Sequence, residues 1–328
     1  MRSLRGHDLR RRAAPLAPIV DRLFLPSTLL AGAHLRLLRE FGIERLGRCR
    51  AALSRVGIFP IRDHYYEPLF VTDRLRGTLD KPRELPGIDF REQEQRSLLR
   101  ELETYATETL AFPRTGARPG SYALDNGNFG PGDAEVLYSV VRRGKPRRFL
   151  EVGSGYSTLV VREALKRNER DGAPPAEHLC IEPYEMPWLE QTGVRTLRER
   201  VEDVPLSEFS KLERGDVLFI DSSHMIRPQG DVVVLYLRVL PVLAPGVLVH
   251  IHDIFTPFDY PELWLVDRIC FWNEQYLLEA LLTDNPRYRV LIGLHQRFRS
   301  DFAELAQVCP SLHERVDNPP KSFWIERV

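Results

Sequence analysis

Cysteine is scarce in this sequence. Cys49, Cys180, Cys270 and Cys309 stand isolated among 328 residues, so neither paired zinc-ligand spacing nor a Cys-x-x-Cys redox motif is present. Scattered thiols of this kind fit a reducing compartment, and a cytoplasmic location is expected. Net charge is lacking too: 46 Lys and Arg are matched by 46 Asp and Glu, which leaves no global field for nucleic acid. No long apolar run opens the chain. The stretch after the first arginines is interrupted by Pro15, Pro18, Asp21, Arg22 and Pro26, which makes a poor secretory core and no membrane span. Internal repeats and low-complexity tracts are absent. Lysine is missing from residues 1–58, where 12 Arg face only 4 acids. A basic arm of this kind suits an anionic surface or partner, or is simply a solvated helical extension. Within it Leu30, Ala33, Leu37, Leu38 and Phe41 fall at helical spacing, with Arg36, Arg39 and Glu40 off the stripe. Two uses stay open for that stripe, a peripheral membrane contact or packing on the protein's own body.

Three regions organise the chain. Residues 1–58 form the Arg-rich helical arm. Residues 59–120 are rich in proline and aromatics ("FPIRDHYYEPLF", "KPRELPGIDF") before turning helical in "REQEQRSLLRELETYATETL". Residues 121–328 alternate strand-like with helix-like runs, which predicts an α/β domain of parallel βαβ units. Strands are expected at 147–152, 178–182, 194–199, 216–221, 246–252, 287–294 and 322–327. Helices are expected at 131–143, 157–168, 205–211, 228–241, 263–282 and 301–308. The last run, "SFWIERV", is expected to insert antiparallel beside its neighbour and give a mixed sheet of seven strands.

The stretch "FLEVGSGYSTLVV" (149–161) reads as strand, glycine turn and helix start. Gly153 and Gly155 let the backbone turn tightly and approach a ligand, and Ser157 or Thr158 can cap the helix. A dinucleotide pyrophosphate would want a third glycine, where Thr158 stands. Glu151 also disfavours a pyrophosphate, whereas a sulfonium or ammonium would be welcome beside a carboxylate. The form Glu-x-Gly-x-Gly-x-Ser/Thr resembles motif I of the class I S-adenosylmethionine-dependent methyltransferases. The expected cofactor-binding set is Glu151, Gly153, Ser154, Gly155, Ser157 and Thr158, with Glu182 at the end of "HLCIEPY" placed to accept ribose hydroxyls. In the family an acid or amide in the loop after the third strand faces the adenine amino group. Asp203 of "RVEDVPL" matches that position, or it caps the helix that follows.

Two further strands end in polar residues. "GDVLFIDSSHMI" delivers Asp221, with His224 just beyond, and "GVLVHIHDIF" delivers His252 and Asp253. Consecutive strands of a βαβ unit have adjacent tips, so these four residues are expected to converge, with His250 in the sheet packing. The constellation resembles the metal-dependent O-methyltransferases of the catechol type. The resemblance implies a metal held by Asp221, His252 and Asp253, and a base at His224. The family's usual second ligand is a carboxylate and its usual base a lysine, so the chain departs at His252 and at His224. A divalent cation, magnesium or manganese, and a metal-free site with His224 alone as base both stay open. A two-metal hydrolase would need a second histidine cluster, which is absent.

Taken in order, "GDAEVLYSVV", "EVGSGYST", "IEPY", "FIDSSH", "HIHDIF" and "FWNEQYLL" resemble a little-characterised bacterial set of class I methyltransferases over residues 59–328. That resemblance implies a Rossmann-like methyltransferase sheet of seven strands. It also implies O-methylation of a hydroxyl on a small molecule or glycan, with S-adenosylmethionine as cofactor. The alternative is an NAD(P)-dependent oxidoreductase, which the missing third glycine and the lack of a Tyr-x-x-x-Lys pair disfavour. Asn126, Asn128 or Asp133 is expected near the methionine end of the donor, and the polar cluster 272–276 near the acceptor.

Overall fold

Seven short apolar runs pair side by side: β1 (Arg148–Val152), β2 (Glu177–Ile181), β3 (Arg195–Leu197), β4 (Val217–Ile220), β5 (Leu248–Ile251), β6 (Tyr288–Gly293) and β7 (Phe323–Arg327). Their order in the sheet is β3-β2-β1-β4-β5-β7-β6. The first five are parallel, and β7 runs antiparallel to both β5 and β6. The mixed sheet expected from the sequence is therefore the one that forms. This computed structural model describes residues 16–62, 67–69, 75, 77–116, 120–184 and 186–328. Residues 1–15 of the basic arm and part of "FPIRDHYYEPLF" lie outside the described residues.

Alternation along the strands explains why both faces of the sheet are covered. Leu150, Val152, Leu218, Ile220, Val249, Ile251, Phe323 and Ile325 join one core. Phe149, Val217, Phe219 and Trp324 join the other. The second face is covered by α3 (Glu92–Leu102), α4 (Asp133–Gly144), α5 (Tyr156–Arg170) and α8 (Phe302–Val308). Leu278 and Leu282 of α6 (Glu274–Leu282) and a helical stretch over 231–242 cover the first. Each large apolar side chain buried this way contributes roughly 1.5–3 kcal/mol.

One helix expectation and one strand expectation need correction. The expected helix 263–282 is two elements: a wide turn at Leu263–Asp267 and then α6, separated by an irregular segment. Ile269 there has φ 53°, a conformation a helix cannot continue through. The expected strand 287–294 ends at Gly293, and Leu294–Ser300 forms an additional helix, α7.

The chain divides into two compact units, Met1–Arg76 and Gly77–Val328. The first contains α1 (Ala17–Glu40) and α2 (Gly47–Val56). No helix among the described residues is long and apolar enough to cross a membrane.

Candidate active site

The chain turns sharply after β1. Gly153 has φ 79°, and a Cβ there would fall 1.7 Å from the Asp221 carbonyl oxygen. Only glycine fits both that backbone conformation and that approach. Asp221 N–H donates to the Val152 carbonyl at 2.8 Å, so the tips of β1 and β4 stay together at the point where strand order reverses. A cleft of about 1130 Å³ opens there, lined by Gly153, Glu182, Tyr184, Asp203, Asp221 and Arg238 among others.

The acid of the glycine motif does not face that cleft. Glu151 is fully buried. Its Oε2 accepts the Thr158 hydroxyl at 2.5 Å and the Cys180 thiol at 3.2 Å, with His178 Nε2 at 3.4 Å. Thr158 Oγ1 in turn accepts the Gly155 N–H at 3.1 Å. Glu151 Oε2 thus pins the turn to α5 and β2, while Oε1 has no hydrogen-bond partner among the described residues. Ser154 and Ser157 are buried in the same turn. Glu182, at the end of β2, accepts the N–H of Ser154 at 3.3 Å and of Tyr184 at 2.8 Å, and borders the cleft. Asp203 sits exposed on the cleft's rim, paired with Arg200 at 3.0 Å. Asn126 closes a local turn by accepting the N–H of Asn128 and Phe129. Asp133 binds the N–H of Lys321 and Ser322, holding the start of β7.

At the far side of the turn, Asp221, His224 and Asp253 converge. His224 Nε2 lies 3.3 Å from Asp221 Oδ1 and 3.5 Å from Asp253 Oδ2. His224 Nδ1 lies 2.8 Å from Glu274 Oε2. His224 and Asp253 both have positive φ, at 58° and 55°, a cost of about 1–3 kcal/mol each that the surrounding fold must offset. The loop is held by Asp231, which accepts the N–H and the hydroxyl of Ser223, each at 2.7 Å. Asn273 and Glu274 N–H both donate to the His224 carbonyl, at 3.0 and 3.2 Å. The break before α6 thus lets the start of that helix dock on the loop.

His252 lies beside this group. Its Nε2 is 3.6 Å from Asp253 Oδ1, and neither ring nitrogen has a hydrogen-bond partner among the described residues. His250 stacks on Phe219 at 4.1 Å and meets Ser322 Oγ at 2.9 Å, inside the sheet packing. Burial pushes its imidazole well below the ordinary range. Burial acts in the same sense on His224, but the Asp221 and Glu274 carboxylates outweigh it and hold the imidazole well above 6.5. Burial opposes the charge on Asp221, and the adjacent His252 and His224 overcome it, leaving that carboxyl below its usual range.

Reasoning from sequence missed Glu274 as the partner of His224. It also missed Lys321, whose Nζ lies 3.2 Å from Asp253 Oδ1. No local spacing announces either pair, because each joins elements distant in sequence.

The sheet order, the glycine turn after β1 and the carboxylate at the tip of β2 form the arrangement that the resemblance to class I S-adenosylmethionine-dependent methyltransferases implies. Residues 150–254 match the sequence model of a family described as "Methyltransferase domain". The chain is 28% identical over 171 residues to an uncharacterized protein of Archaeoglobus fulgidus, covering 48% of this chain and 75% of that one. Among solved structures, an O-methyltransferase from Bacillus cereus in complex with S-adenosylhomocysteine aligns with TM-score 0.40 and 15% identity, covering 71% of this chain and 90% of its own. The O-methyltransferase TomG from Streptomyces achromogenes aligns with TM-score 0.36 and 14% identity, covering 75% and 91%.

Proposed function

We propose that the chain is an O-methyltransferase that modifies a hydroxyl on a small molecule or glycan, with His224 as the base. The observation that carries this reading is the engagement of both His224 nitrogens: Nδ1 on buried Glu274, Nε2 toward Asp221 and Asp253. A carboxylate on one ring nitrogen fixes the tautomer and orientation of the other.

S-adenosylmethionine supplies the electrophilic methyl group. Glu182 would accept its ribose hydroxyls, and the turn at Gly153 leaves its backbone bare for close approach. His224 Nε2 would take the acceptor's hydroxyl proton as its oxygen gains the methyl group and the donor sulfur keeps the bonding electron pair. Because the acidic neighbours of His224 favour the imidazolium, the rate is expected to keep rising with pH well above the range in which an ordinary imidazole loses its proton.

The residues fit a divalent cation: Asp221, His224 and Asp253 bring ligand atoms within 4.8 Å of one another, and the buried His252 imidazole, outside that group, has unpartnered nitrogens. Asp221, Asp253 and His252 would hold it, and its charge would acidify the acceptor hydroxyl. A second reading, without metal, is favoured by Lys321, which already places a cation on Asp253.

Methyl transfer from labelled S-adenosylmethionine to a panel of phenolic and sugar hydroxyls tests the assignment. His224→Ala is expected to lower kcat roughly a hundredfold or more while leaving S-adenosylhomocysteine affinity unchanged. A rate near wild type would remove His224 from the chemistry. Chelation is expected to lower the rate, with magnesium or manganese restoring it; indifference to chelator would select the Lys321 reading.

A further inference from the structure

The helix α1 leaves its apolar side uncovered. Ile19, Val20, Leu23, Phe24, Leu30, Leu37 and, just past its end, Phe41 are all exposed, Leu23 by 71% and Leu30 by 75%. At about 3.6 residues per turn these positions share one face, interrupted only by Ser27 and His34. Asp21, Arg22, Thr28, Arg36, Arg39 and Glu40 fall on the opposite side. Leu25 and Leu29 fall on the opposite side with Arg22 and Arg36, so over the uncharged run 23–33 the helix is apolar on both sides and the polar face is confined to its two ends. With 24 residues the helix is about 36 Å long, yet it is too polar to cross a bilayer. Only Leu38 is buried along it.

The charge around the helix selects the occupant. Residues 1–58 hold 12 Arg against 4 acids, and Arg2, Arg5, Arg10, Arg11 and Arg12 precede α1 in the sequence. Two copies meeting through such segments would repel each other, whereas an anionic surface attracts them. We propose that α1 is an interfacial helix that lays its apolar face into an anionic lipid surface, with the flanking arginines at the headgroups. An amphipathic helix of this kind sits roughly 5–10 Å deep, its polar face toward water. Docking rests on the first unit's residues alone and is independent of the catalytic reading.

Flotation of the full chain with vesicles tests it, using phosphatidylcholine alone and phosphatidylcholine mixed with phosphatidylglycerol. The chain is expected to float with the anionic vesicles, and raised salt to weaken the association. Leu23→Glu with Leu30→Glu should lower binding at least about tenfold. Both positions are exposed, so circular dichroism should match wild type. Replacing Arg10, Arg11 and Arg12 with Ser should weaken binding to anionic vesicles only. Failure to float, or equal binding to neutral vesicles, would overturn the proposal. So would a dimer that the Leu23→Glu/Leu30→Glu change dissociates, which would make a second copy the occupant.

Discussion

A Cβ at position 153 would overlap the Asp221 carbonyl oxygen, and the residue's φ of 79° adds strain for any side chain. At Gly155 the situation differs: φ is extended, and the nearest atom to an added Cβ would be the flexible Met186 Cε at 3.3 Å. Gly153→Ala is therefore expected to lower the melting temperature and abolish the shift produced by S-adenosylhomocysteine. Gly155→Ala is expected to keep most of both. Thermal melts with and without the ligand check this, and equal behaviour of the two variants would contradict the geometry assigned to the turn. The turn could be read from sequence because its glycines and hydroxyls are neighbours in the chain. The direction of the Glu151 carboxylate could not, since it depends on Cys180 and His178 of β2 arriving on the same side. The bond from His224 to Glu274 spans fifty residues, and no periodicity in either segment records it.

Among the elements, the strands were the most legible, because burial on both faces demands mostly apolar runs of four to six residues. Helices near the acceptor side were less so. The segment before α6 is apolar enough to suggest continuous helix, yet the left-handed Ile269 stops it and the Asn273–Glu274 start docks on the His224 loop instead. The helix α7 was hidden because its first residue continues the apolar pattern of β6. That helix carries His295, packed between Phe255 and Phe258 at ring separations of 5.0 and 5.3 Å. Burial, aided by Arg299, pushes its imidazole down to about 4. Above pH 6.5 the ring is neutral in both folded and unfolded chains. As pH falls, the unfolded chain takes up a proton that the folded one refuses, so stability declines from pH 6.5 to about 4. At roughly 1.4 kcal/mol per pH unit the loss reaches up to about 3 kcal/mol. Denaturant melts across that window should show the decline, and His295→Phe should flatten it. An unchanged slope in the variant would place the acid sensitivity elsewhere.

At the scale of the whole molecule, the neutral total conceals a division: the basic excess of residues 1–58 is balanced by an acidic excess in the rest. The acidic part contains the sheet and its cleft. A dinucleotide-binding sheet of order 3-2-1-4-5-6 is parallel throughout, whereas here β7 enters antiparallel between β5 and β6. This insertion, together with Thr158 at the place of a third glycine, favours the proposed methyl-donor site over a nicotinamide site. In the proposed function the acceptor end is built from the tips of β4 and β5, next to the donor cleft, as transfer between two bound groups requires. Calorimetric titration of the purified chain with S-adenosylhomocysteine, alongside NADH, tests that assignment most directly. Saturable binding of S-adenosylhomocysteine is expected, and none of NADH. Binding of NADH with none of S-adenosylhomocysteine would contradict the assignment and move Asp221, His224 and Asp253 to hydride chemistry.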